Sequence, residues 1–130
     1  MFKRIDHVEL VTDQPEQTVK FYTEVLGFSV KKRDRVQAPN GTALDLAYLD
    51  LGGTVIEVIT YNGVKPGPAA SGVHLGWNLA AIEVEDMAKA VDFLKSKGVP
   101  ITWGPLVRDT YARAEIHDPN GYSIELRQWK

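Results

Sequence analysis

Three residues have the types that could do chemistry together: His7, Glu57 and Glu125. An imidazole and two carboxylates carried on three strands form a donor set for one divalent metal ion, and they suit Zn, Ni, Co or Mn better than Ca. Three protein ligands leave coordination positions open. Taken singly, each is also an ordinary half-exposed strand residue. Symmetry is what joins them, because Glu57 and Glu125 fall at equivalent points of a repeated pattern. Two bare carboxylates brought together would repel, and a cation would relieve them. Glu9, two residues from His7 on the same strand face, could be an outer-shell partner, a proton acceptor or a solvated rim residue. Tyr111 and Arg113 could hold a substrate carboxylate or carbonyl, and Trp77 could wall a pocket. Arg113 also lies close to Glu115, and an ion pair between them is the favoured reading. His74 falls in or just after a linker and His117 beside a turn, so neither joins the set, and Trp103 and Trp129 read as packing residues.

Strands must position these groups, and the sequence writes its strand pattern twice. A shift of 72 residues lays HVELVTDQPEQTVKFY over LAAIEVEDMAKAVDFL, and a shift of 68 lays GGTVIEV over NGYSIEL. Residues 5–11 alternate as a strand. Asp13 and Pro15 then start a helix that runs to about Leu26, where Gly27 stops it. Strands follow at about 28–37, 43–51 and 54–60, joined by Asn40-Gly41 and Gly52-Gly53 hairpin turns. Residues 61–73, rich in Gly and Pro, form a linker. The second unit repeats the order, with a strand at 75–84, a helix at about 86–97, and strands near 100–103, 111–117 and 122–128. Asp118-Pro119-Asn120-Gly121 forms the tight turn between the last two.

The expectation is therefore an α+β chain of two tandem βαβββ modules, about 1–62 and 74–130, within one domain spanning 1–130. Parity along the strands says which side the helices cover. Even positions are nearly all apolar: Val8, Leu10, Ile56, Val58, Ala80, Ile82, Val84, Ala112, Ala114, Ile116, Ile124 and Leu126. Odd positions carry His7, Glu9, Glu57, Arg113, Glu115 and Glu125. Two modules side by side would curl a mixed sheet into a half-barrel cup with helices outside and this polar face inside, a natural small-molecule site.

Composition narrows the partners. A formal charge of −2 gives no long-range field for a polyanion, so neither nucleic acid nor an anionic membrane is an expected partner. The basic run Lys31, Lys32, Arg33, Arg35, diluted by Asp34, reads as a solvated edge strand. No cysteine is present, which removes disulfides, thiolate nucleophiles and Cys-ligated zinc. No stretch has the apolar length of a signal peptide or membrane span, and the cytoplasm is the expected compartment.

The segments DHVELVTDQPEQTVKFYTEVLGF and IHDPNGYSIEL resemble the opening and closing signatures of the vicinal oxygen chelate superfamily, the glyoxalase, bleomycin-resistance and dioxygenase relatives. With VIEV and AAIEVEDM, the likeness spans nearly the whole chain. It implies paired βαβββ modules, commonly a homodimer, and metal ligands at His7, Glu57, Leu79 and Glu125. Leu79 departs from the pattern, because glyoxalase-like enzymes usually carry histidine there and leucine cannot bind metal. Extradiol dioxygenase chemistry needs two histidines and a carboxylate, and is disfavoured for that reason. What remains is a glyoxalase-I-like lyase or isomerase acting on a small oxygen-bearing metabolite, with enediolate stabilisation by the cation and a glutamate moving the proton, Glu125 first and Glu57 second. The rival reading is a metal-free protein that sequesters a small molecule or antibiotic, as bleomycin-resistance proteins do.

Overall fold

The computed structural model describes residues 1–130. Module one contains β1 (Val8–Val11), α1 (Pro15–Lys20), β2 (Ser29–Gln37), β3 (Ala43–Leu51) and β4 (Thr54–Tyr61). Module two contains β5 (Ala80–Glu83), α2 (Met87–Ser96), β6 (Trp103–Val107), β7 (Tyr111–His117) and β8 (Ser123–Trp129). The order is βαβββ twice, as the repeat predicts. The mixed sheet takes the form of two four-stranded hydrogen-bonded sheets, ordered β1-β4-β3-β2 and β5-β8-β7-β6. The chain divides into two compact units between Pro68 and Ala69, inside the expected linker.

In module one, β1 runs parallel to β4, while the hairpins β2–β3 and β3–β4 are antiparallel. The parallel pair is possible because α1 makes the crossover connection that such strands need. Pro15 sits in the first turn of α1, where its absent N–H costs no hydrogen bond. The helix-start signal is displaced from Asp13: the N-cap position falls on Gln14, whose N–H donates to Thr12 Oγ1, while the buried Thr18 hydroxyl donates to the Gln14 carbonyl. Beyond Lys20 the helix widens into a π turn, Phe21–Val25, and Gly27 ends it with φ +81°. A left-handed φ is a conformation that glycine adopts without a Cβ penalty. Helix α1 lies on β4, and Val19, Tyr22, Phe28, Ala47, Leu49, Ile56 and Val58 are buried.

Module two repeats this with its own core of Met87, Val91, Leu94, Ala112, Ala114, Ile116, Ile124 and Leu126. Here α2 lies on both β7 and β8. Its N-cap is Asp86, where the sequence begins the helix, accepting the Lys89 N–H at 3.0 Å. Val19 and Val91, superimposed by the repeat, are both buried.

Some expectations shift. The first strand of module two is confined to residues 80–83, and residues 75–79 lie outside any strand. The next strand is Trp103–Val107 and not 100–103, so it carries Gly104-Pro105 inside it. A strand tolerates that pair only at an edge, where an absent N–H is not missed, and β6 is an edge. Val8 and Ala80 are exposed despite their even parity, because they begin short edge strands. No helix is long and apolar enough to cross a membrane.

Candidate metal centre

Strand pairing fixes which residues can meet. In module one, Glu9 is directly beside Glu57, and Val8 beside Ile56, in parallel register. Across the other edge of β4, Tyr48 is opposite Glu57. His7 immediately precedes β1. Alternation along each strand therefore brings His7, Glu9, Glu57 and Tyr48 to one face, opposite the apolar positions Ile56 and Val58 that pack under α1.

The contacts follow this register. His7 Nε2 stands 2.8 Å from Glu57 Oε2, and His7 Nδ1 is 3.0 Å from Asp6 Oδ2. The ligand atoms of His7, Glu9 and Glu57 all lie within 4.8 Å of one another. Glu57 is 5% exposed, and burying a carboxylate so deeply requires a compensating partner. The imidazole is that partner, and Tyr48 stands opposite Glu57 in the β3–β4 register. The Tyr48 ring also meets the His7 ring edge-on, with centroids 5.8 Å apart. Burial, then the negative charge of Glu57, pushes the Tyr48 hydroxyl above its ordinary pKa, so it stays a proton donor. The hydrogen bond that the His7 ring donates to Asp6 raises the His7 pKa, and the charge on Glu57 adds to this against the opposing effect of burial. Asp6 is correspondingly held below the usual carboxylate range, first by its bond to His7 and then by Arg4.

This donor set fits a divalent ion. Asp6 occupies Nδ1, which fixes the imidazole and leaves Nε2 as the inward donor, the carboxylate–histidine arrangement typical of metal-binding histidines. Two ligands at right angles around one ion, with bonds of about 2.1 Å, are about 3 Å apart, close to the observed His7–Glu57 separation.

Module two treats its matching face differently. The pairs Ala80–Ile124 and Ala81–Glu125 reproduce the pairs Val8–Ile56 and Glu9–Glu57. Leu79 therefore matches His7, Ala81 matches Glu9, and Glu125 matches Glu57. Glu125 is 6% exposed, and each of its oxygens meets a guanidinium: Oε1 accepts from Arg127 Nε at 2.7 Å, and Oε2 lies 3.1 Å from Arg113. Arg113 also donates to Glu115 at 2.9 Å, the ion pair the sequence favours. Arg127 stacks on Tyr111 and Trp129, each ring centroid 4.9 Å away, and Arg113 lies 4.8 Å over Trp103.

Within module one, His7, Glu9 and Glu57 are brought together; within module two, Tyr111, Arg113 and Glu125 belong to an ion-pair and aromatic cluster. Trp77 is 92% exposed in the loop before β5. His74 places its ring nitrogens near the carbonyls of Gly72 and Trp77. Trp103 and Trp129 correct the packing expectation: they are 43% and 61% exposed and serve as stacking surfaces for arginines. Sequence reasoning missed Tyr48 and Arg127. Tyr48 is hidden in the run ALDLAYLDL, though its odd offset from the core positions Ala47 and Leu49 is a usable signal. Arg127 lies two residues from Glu125 on the same strand face, a spacing that permits their pairing.

The family model of the Glyoxalase/Bleomycin resistance protein/Dioxygenase superfamily matches residues 4–126. A probable lactoylglutathione lyase of Vibrio parahaemolyticus is 33% identical over 98% of this chain and 91% of its own length. A probable chloroplastic lactoylglutathione lyase of Arabidopsis thaliana is 32% identical over 95% of this chain, which spans only 35% of that longer protein. The crystal structure of a glyoxalase family protein from Bacillus cereus matches with a TM-score of 0.85, covering 99% of this chain and 95% of that one, at 19% identity, a likeness of fold. On the repeat, the paired registers and these matches, the chain belongs to the glyoxalase, bleomycin resistance protein and dioxygenase superfamily.

Proposed function

We propose that this chain is a metal-dependent lyase or isomerase of the lactoylglutathione lyase type, acting on a small oxygen-bearing metabolite. The observation that carries this reading is the 2.8 Å approach of His7 Nε2 to the buried carboxylate of Glu57, with Asp6 orienting the imidazole from behind. A divalent ion held there, Zn, Ni, Co or Mn by its donors, would supply a Lewis acid for the oxygens of an enediolate. The residues themselves do the rest. Asp6 keeps the His7 ring in one tautomer. Tyr48, protonated across the neutral range and opposite Glu57 in register, is placed to orient its carboxylate. Glu57 is the glutamate proposed to take a proton from a substrate carbon and return it to the neighbouring one. Its support over Glu125 is that both oxygens of Glu125 are engaged by guanidinium groups. Family membership supports a homodimer and a cytoplasmic location as parts of the same proposal.

A second reading, metal-free sequestration of a small molecule, draws support from Leu79 and from the neutralised Glu125, which leave module two without a metal-binding face of its own. Turnover of a hemithioacetal, measured with chelator and after returning each metal, separates the two. The lyase reading expects activity to vanish with chelator and return with a divalent ion; turnover indifferent to chelator, or binding without turnover, would end it.

A further inference from the structure

We propose that Glu9 is the third protein ligand of the metal centre, so that His7, Glu9 and Glu57 form a complete set within module one and Glu125 is not a ligand. This rests on the metal reading above. Its first ground is proximity, since the ligand atoms of these three residues lie within 4.8 Å of one another. Two donors on one ion, bonded at about 2.0–2.2 Å, are at most about 4.4 Å apart. At ordinary ligand angles donors on one ion stand about 3–3.4 Å apart, so more than an ångström is left to close, and the exposed Glu9 side chain is the one placed to move while Glu57 is buried against His7.

The second ground is independent of the cluster. The register equates Leu79 with His7 and Ala81 with Glu9, so module two offers neither donor of the pair on β1 and keeps only its glutamate. That glutamate already has Arg127 on Oε1 and Arg113 on Oε2, and a cation approaching it would face two guanidinium charges. Charge balance agrees: one neutral imidazole and two carboxylates carry −2, which a divalent ion cancels. One nitrogen and two oxygens, with positions left open, suit the borderline divalent metals.

Cobalt(II) serves as the probe, followed by its visible absorption and by metal content after dialysis, on the whole chain and on H7A, E9Q, E9H and E125Q, with circular dichroism to verify folding. The expected result is one cobalt per wild-type chain and an affinity loss in E9Q of more than about 100-fold, beyond what an outer-shell partner is worth. Glu9→His should recover binding, with a shifted cobalt spectrum reporting the added nitrogen donor. Glu125→Gln should leave cobalt affinity unchanged. The spectral shift of E9H reads the ligand role directly, even if E125Q fails to fold. Wild-type affinity in E9Q together with loss in H7A would overturn the assignment of Glu9 alone. No cobalt bound by the wild type, or none lost in H7A, would overturn the metal reading and this inference with it.

Discussion

In module one a buried glutamate faces an imidazole and a phenol; in module two the residue at the matching position faces two arginines. The backbones agree in register, so the difference lies in side chains alone. A carboxylate taken out of water needs a counter-charge. Module two builds that charge into the chain as Arg113 and Arg127. Module one has no such guanidinium and sets the His7 imidazole against the carboxylate instead. One position occurs in both modules, and only in module two is its charge met by fixed guanidinium groups.

Exchanging the glutamates is the strongest way to break this comparison. Glu125→Gln leaves two half-buried arginines short of charge and is expected to cost about 2–3 kcal/mol of stability in urea unfolding. Glu57→Gln should instead abolish metal binding while changing the stability of metal-free protein much less. Equal destabilisation by both would mean that module one is as fixed as module two. A smaller effect should follow from Tyr48→Phe. Losing the hydroxyl opposite Glu57 should weaken metal about tenfold in a competition titration, with the fold intact by circular dichroism. Unchanged affinity would make Tyr48 a packing residue only.

The smallest effect is that of pH on metal-free protein. Because Asp6 and Glu57 raise the His7 pKa above its ordinary 6.5, the folded state holds this proton more tightly than the unfolded chain. The resulting stabilisation is fully present below about pH 6.5 and fades as pH rises through the raised folded value. Metal affinity should move oppositely over the same interval, since the ion needs a deprotonated Nε2. Thermal melts across that range in chelator, compared with H7A, check the first trend; metal titrations check the second.

Much of the fold was legible because its signals are local. Asn40-Gly41 and Gly52-Gly53 marked hairpins, Gly27 marked a helix end, and the shifts of 72 and 68 reappear as the equivalence of Val8 with Ala80 and of Ile56 with Ile124. β6 escaped because Gly104-Pro105 punctuates a strand that tolerates it only as an edge. Of the site, the odd-parity face and the ion pair of Arg113 with Glu115 were readable from alternation. The placing of Tyr48 against Glu57 was not, because cross-strand register is set by packing over distances that no short pattern spans. The same limit hid the double clamp on Glu125.

The parallel pairing of β1 with β4 has a consequence for folding order. His7 and Glu57 approach only after the chain between them has formed α1 and both hairpins and returned to its starting edge. Such a closure brings together distant parts of the chain and belongs among the slower steps of assembly. Cobalt capture during refolding would therefore time the completion of the module, and a saturating ion, by tying β1 to β4, would resist fraying of β1.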